Sequence, residues 1–250
     1  MKVSIITATY NSEATILDTI RSLESQTYKN IEYIIIDGLS SDNTIELVSS
    51  NKVLFPRIFR EPDSGIYDAL NKGIDHATGD IIGFLHSDDL FAYPNAIKDI
   101  VDKFQETKTD AIYADLEYVS KSNLNETIRY WKSGPFDRSK LKLGWMPPHP
   151  TFYVKKSIYQ KFGKFDLNFK ISADYDSILR YLWLNKINVG YLEKVVIKMR
   201  VGGASNGNLT KILHKTKEDI VALKKNGIFW PIALTIKNIS KLPQFFIKNN

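Results

Sequence analysis

The chain predicts an α/β fold: a mixed, mainly parallel sheet flanked by helices, followed by a basic amphipathic helical tail. Three observations predict it. Short apolar runs alternate with helix-period segments through the first hundred residues, the pattern of strand–helix units. Three of those runs end in polar segments rich in hydroxyls and carboxylates. From Asn208 onward the chain carries eight lysines and two acids, which accounts for its whole net charge of +6.

The elements follow in order. Val3 to Ala8 reads as a strand. Asn11 or Ser12 is placed to cap a helix whose apolar face is Ile16, Ile20 and Leu23. Glu32 to Ile36 is a second strand, and Asp42-Asn43-Thr44 opens a helix through Val48. Val53 to Phe59 is a third strand, weakened by Pro56. Pro62 to Gly65 is a turn, with a helix from Ile66 to Ala77 and a strand from Ile81 to Leu85. Pro94 suits the first turn of a helix that buries Ile97, Ile100, Val101 and Phe104. Further on, Ile112 to Val119, Ile128 to Trp131 and Val189 to Met199 read as strands. Ser172 to Asn185 reads as a helix with Ile178, Leu179, Leu182 and Trp183 on its apolar side.

Ligands of parallel α/β sheets bind beyond the carboxyl ends of the strands. There the sequence places Thr7 to Asn11, Asp37 to Asp42, and His86 to Asp89. Asp88 and Asp89 raise a specific question, because adjacent carboxylates repel and are costly to desolvate. Either they form a solvated turn or a cation joins them.

Composition narrows the classes. At 43% hydrophobic, 250 residues build a full core. With the tail set aside the body is neutral, which argues against a nucleic-acid partner. With no cysteine there is no disulfide framework and no thiolate chemistry, which fits the cytosol. The opening MKVSIITATYN has too short an apolar run for a secretory signal, and no stretch reaches the length of a membrane span.

TATYN, DGLSSDNT, EPDSGIYDALNKGIDHATGD, LHSDD and SADYD, in this order, resemble family 2 glycosyltransferases of the GT-A fold over about residues 1–205. The resemblance implies a catalytic domain at 1–205, a helical extension at 206–250, and inverting transfer of one sugar. The donor would be a nucleoside-diphosphate sugar, uridine first, and the acceptor a glycan or lipid-linked glycan. It places Thr7, Ala8, Thr9, Tyr10, Asp37 and Asn71 at the nucleotide, and Asp88 near the ribose. Asp89 would be the ligand of Mn²⁺ or Mg²⁺, and Asp174 the general base. Lys72 and His149 are candidate donor or acceptor contacts.

The pattern departs from the family at three places. His86 stands where many members have Asp, Leu70-Asn71 where many have Arg-Asn, and Ala173 where many have Glu. The QxxRW motif of processive synthases is absent. Two other functions share parts of this pattern: a nucleotidyltransferase, which usually carries a glycine-rich basic loop lacking in TATYNSEAT, and a non-catalytic nucleotide-sugar-binding subunit.

Several motifs have a plain structural reading as well. Asp42 suits a cap, Asp63 and Asp68 suit a turn and an i,i+4 pair with Lys72, and Gly202-Gly203 suits a turn or a lid. In the tail, Leu209, Ile212, Leu213, Ile220 and Leu223 form one helical face. Phe229, Trp230, Phe245 and Phe246 mix with Lys237, Lys241 and Lys248. Over 209–248 this suits peripheral contact with an anionic membrane, which would place the protein in the cytoplasm on the inner face of the plasma membrane. A helix packed on the body or in a homodimer is the alternative.

Overall fold

The computed structural model describes residues 1–51, 53–202 and 209–239. In chain order the elements are β1 (Val3–Thr9), α1 (Ile16–Glu24), β2 (Ile31–Asp37), α2 (Thr44–Ser49), β3 (Arg57–Arg60), α3 (Ile66–His76), β4 (Ile81–Phe84), β5 (Leu90–Phe91), α4 (Ala96–Thr107), β6 (Ala111–Val119), β7 (Thr127–Trp131), β8 (Tyr153–Lys155), α5 (Lys156–Phe162), α6 (Ala173–Leu179), β9 (Val189–Arg200), α7 (Leu209–Lys225) and α8 (Trp230–Ile239). The strands form one sheet in the order β3-β2-β1-β4-β8-β6-β9-β5. The β3-β2-β1-β4 half is parallel, and β8 runs antiparallel between β4 and β6. One edge of β6 is shared: Ala111 and Ile112 pair with β8, and Leu116 to Val119 pair with β7.

The central strands are apolar on both faces because helices cover both faces. Ile6, Ile34, Ile36 and Phe84 pack on one side, against α3 and α6. Val3, Ile5, Ile35 and Ile81 pack on the other, against α1 and α4. Gly83 sits in β4 where a Cβ would come within 2.1 Å of the Tyr153 ring, so the close approach of β4 and β8 needs glycine there.

Most expected elements form, with four local differences. Neither Asn11 nor Ser12 caps α1; Asn11 takes a positive φ of 48° and α1 starts from Thr15. β3 begins only after Pro56. The helix expected through Asn185 is α-helical to Leu179 and then widens into a π turn over Arg180–Leu184. The tail differs most. Ile212 and Leu213 are exposed, whereas Leu223 is fully buried, so the expected single apolar face is split.

The inward face of α7 is polar. Glu218, Asp219 and Asn226 are buried beside Ala222 and Leu223. Asp176 of α6 accepts from Asn226 Nδ2 at 3.1 Å and from Lys225 Nζ at 3.2 Å. Lys237, expected at a membrane surface, is instead buried, 2.8 Å from Asp219 and 3.3 Å from the Tyr175 ring centroid. Described helices α7 and α8 therefore dock on the body through paired charges. The expectations for Gly203 and for Lys241, Phe245, Phe246 and Lys248 lie outside the described residues.

Candidate active site

Register brings the three polar segments together. Thr9 pairs with Asp37 across β1 and β2, and Ile6 with Phe84 across β1 and β4. The loops beyond are laced by hydrogen bonds. Asn11 N–H donates to Ser40 Oγ at 2.9 Å, Ser41 N–H to Asn11 Oδ1 at 2.9 Å, and Thr15 Oγ1 to Ser87 O at 2.9 Å. Two residues there, Asn11 and Leu39, hold left-handed backbone, at φ 48° and 65°. For Leu39 this is strain, which the lacing sustains.

The expected nucleotide residues fall into two groups. Tyr10 is 64% exposed, and Ala8 is half-buried beside the core. Thr9 is buried with its hydroxyl unpartnered. Asp37 is fully covered: Ser40 N–H and Oγ–H and Arg60 Nε donate to its carboxylate, the Arg60 contact being 3.1 Å. The Ser40 N–H reaches both oxygens, so these donors make four contacts, the number a carboxylate ordinarily accepts. Asp63 lies beside it: a Cβ on Gly38 would come within 2.5 Å of Asp63 Oδ2 and 3.6 Å of Tyr10 Cδ2.

Thr7, Asn71 and Lys72, expected at the donor, are each engaged within the protein. Thr7 is fully buried; its hydroxyl donates to Leu85 O at 2.6 Å and accepts from Tyr33 at 3.2 Å, so it ties strands together. Asn71 is spent on the backbone of Phe165, donating to its carbonyl at 2.9 Å and accepting its N–H at 3.0 Å. Lys72 donates to Pro62 O at 2.6 Å and lies 3.5 Å from Glu61 and 3.6 Å from Asp68. It therefore fixes the turn before α3.

The DD pair divides its exposure. Asp88 is half-buried, and its carbonyl accepts from Arg200 at 2.8 Å. Asp89 is fully buried with neither carboxylate oxygen hydrogen-bonded. Burial and the Asp88 charge push its pKa well above the usual carboxylate range, and Arg200 offsets only part of that. His86 also keeps Nδ1 buried without a partner. Unpartnered carboxylate and imidazole on one turn fit a divalent cation that completes its shell with water and phosphate oxygens. Among the described residues no three His, Asp or Glu side chains converge closely enough to enclose an ion by themselves.

A crevice of about 290 Å³ opens beside this turn. Its lining includes His86, His149, Asp174, Arg129, Trp131 and Trp145, and, from the tail, Lys215, Asp219 and Lys237. Asp174 sits in the first turn of α6, where the helix dipole favours an anion. Its Oδ1 accepts the Tyr175 N–H at 2.8 Å and lies 3.0 Å from the Tyr67 hydroxyl. His149 packs between Phe84 and Phe165, with ring centroids 5.3 and 5.5 Å away. Burial lowers its pKa to about 4, so it is neutral at pH 7.

The sequence reading missed Tyr67, Arg60 and Glu218. Each acts by reaching another motif across the fold: Tyr67 to Asp174, Arg60 to Asp37, Glu218 to the backbone before α6. Tyr67 stands inside a quoted motif, but nothing in the sequence pairs it with Asp174.

A sheet of this order, with a carboxylate pair after β4 and with His86 of the same turn and Asp174 of α6 lining one crevice, is that of the GT-A fold. The family model described as glycosyl transferase family 2 matches residues 4–165, and the chain belongs to that family. An uncharacterised glycosyltransferase of Mycobacterium tuberculosis is 34% identical over 180 residues, 71% of this chain and 68% of that protein. A PGL/p-HBAD biosynthesis glycosyltransferase of Mycobacterium bovis is 26% identical over 211 residues, 81% of this chain and 78% of its own. Among solved structures, S. aureus TarS in complex with UDP-GlcNAc superposes with a TM-score of 0.72 at 18% identity, covering 98% of this chain and 73% of that one. The mannosyltransferase PcManGT from Pyrobaculum calidifontis, in complex with GDP-Man and Mn²⁺, gives 0.67 at 17% identity, with the same two coverages.

Proposed function

We propose that this enzyme is an inverting transferase that moves one sugar from a uridine-diphosphate donor to a hydroxyl of a glycan or lipid-linked glycan. The carrying observation is Asp174. One carboxylate oxygen is fixed by its own helix and faces Tyr67, which leaves Oδ2 to take a proton in the crevice. A single displacement needs a base of this kind on the acceptor side, and no covalent sugar–enzyme bond.

Asp37 would accept a base N–H, as uracil offers, by exchanging one of the contacts that Ser40 and Arg60 make to it, with Tyr10 and Asp63 at its side. Asp89, with Asp88 and His86 beside it, would hold the divalent cation. A bound cation stabilises the charge that grows on the departing diphosphate. The indole rings of Trp131 and Trp145 offer apolar faces to a sugar ring in the crevice. Neutral His149 offers Nε2, which is buried and unpartnered, as a hydrogen-bonding group toward the sugar. The family membership sets the nucleotidyltransferase reading aside.

Asp174→Asn tests the proposal. It is isosteric and keeps the helix contact, so donor binding persists while turnover falls by about 10²–10⁴-fold. Unchanged turnover removes Asp174 from the mechanism. Proton NMR of the first product formed decides inversion against retention.

A further inference from the structure

The outward face of α7 is apolar and basic, that of α8 is apolar, and neither carries an acid. Leu213 is 63% exposed, Val221 53%, Phe229 67%, Ile232 53% and Ile239 59%. Lys217 and Lys224 fall on the Leu213–Val221 stripe at helical spacing and are exposed. Ile232 and Ile239 share a stripe on α8 by the same spacing. The only acids in residues 209–239 are Glu218 and Asp219, and both point inward. Leaving several large apolar side chains in water is costly, and such an exposed patch marks a binding surface.

We infer that this face docks on an anionic lipid bilayer. Aliphatic and phenyl side chains enter the headgroup–acyl boundary while the lysines meet lipid phosphates. The charge pattern selects this occupant over a second copy of the chain. A two-fold interface would set the patch against itself, lysine facing lysine with no exposed acid to separate them. The inference is independent of the glycosyl-transfer reading, although the two converge. Lys215 and Asp219 of the same helix line the crevice, so docking by α7 brings the crevice near the lipid surface.

The test uses the full chain without donor. Co-sedimentation is measured with vesicles of phosphatidylcholine alone and of phosphatidylcholine mixed with phosphatidylglycerol, and the oligomeric state by sedimentation velocity. The inference expects binding only to the mixed vesicles, weakened by salt. The pair Lys217→Ala and Lys224→Ala should weaken it about 25-fold, about fivefold for each lysine. The pair Leu213→Glu and Ile232→Glu should abolish it with the melting temperature kept. Equal binding to both vesicles, binding to neither, or wild-type binding by these variants overturns it. So does a dimer that the Leu213→Glu and Ile232→Glu pair dissolves, which would assign the face to a second copy.

Discussion

Glu218 gives the sharpest test of how the tail serves the site. Its Oε2 accepts the N–H groups of Ile171 and Ser172, and its Oε1 that of Lys170, each at 2.8 Å. Ser172 is the residue before α6, and Asp174 lies two residues on. One carboxylate from α7 thus fixes the segment that aims the base. In Glu218→Gln the amide oxygen keeps two of these bonds without charge, and the third N–H faces an NH₂ group. At the lower figure of about 1.5 kcal/mol for each charge-assisted bond, three are worth about 4.5 and the two kept neutral ones about 2, and an unpaired N–H costs about 1 more, so the change costs about 3–4 kcal/mol. The variant remains folded against a typical total of about 5–15 kcal/mol. Its melting temperature drops by about 6–16 °C. A carboxylate displaced by about 1 Å costs on the order of 100-fold in turnover. We therefore expect kcat to fall at least about tenfold while the donor KM stays, measured well below the melting transition. If melting falls as stated but kcat does not, Glu218 is a strut and has no part in positioning Asp174.

Two further predictions concern buried acids. Burial pushes the Glu32 pKa up, but Ser4, Thr78 and Arg57 outweigh it and bring it down to about 2 from 4.5. The resulting stability, about 3 kcal/mol, is present above the unfolded value and is lost as pH falls from 4.5 toward 2. Urea melts across that range should show Glu32→Gln losing this part of the acid dependence, and a curve parallel to wild type would refute the assignment. Asp89→Asn removes a buried carboxylate that no described side chain hydrogen-bonds, so without metal it should melt at or above wild type. The same variant should lose the roughly 2.7 kcal/mol that UDP with Mn²⁺, at about 100 times its dissociation constant, lends the wild type. Retained metal-dependent stabilisation would move the cation elsewhere.

What the sequence made legible was whatever is periodic or local. The apolar runs at Val3, Ile31 and Ile81 could only be strands buried on both faces, and their polar ends had to meet at one edge. The same logic exposed Asp88 and Asp89, and Asp174 came only with the resemblance to the family. Long-range partners were illegible, and they account for the differences. A threonine at a strand end can face a ligand or the neighbouring strand, and nothing local told Thr7 to bond Leu85. Asn71 gave no sign that Phe165, 94 residues away, would occupy its amide. The tail shows the limit of hydrophobic patterning most clearly. The apolar residues of α7 suit a membrane-facing stripe, and the chain docks the helix on the body through Glu218, Asp219, Lys225 and Asn226. A buried face held by charges reads in sequence as a solvated one. Ile212, Leu213 and Val221 then face outward, while Leu223 is buried with the docked side. Lys237, whose spacing among aromatics suits a membrane surface, is instead held by Asp219 and lies under Tyr175.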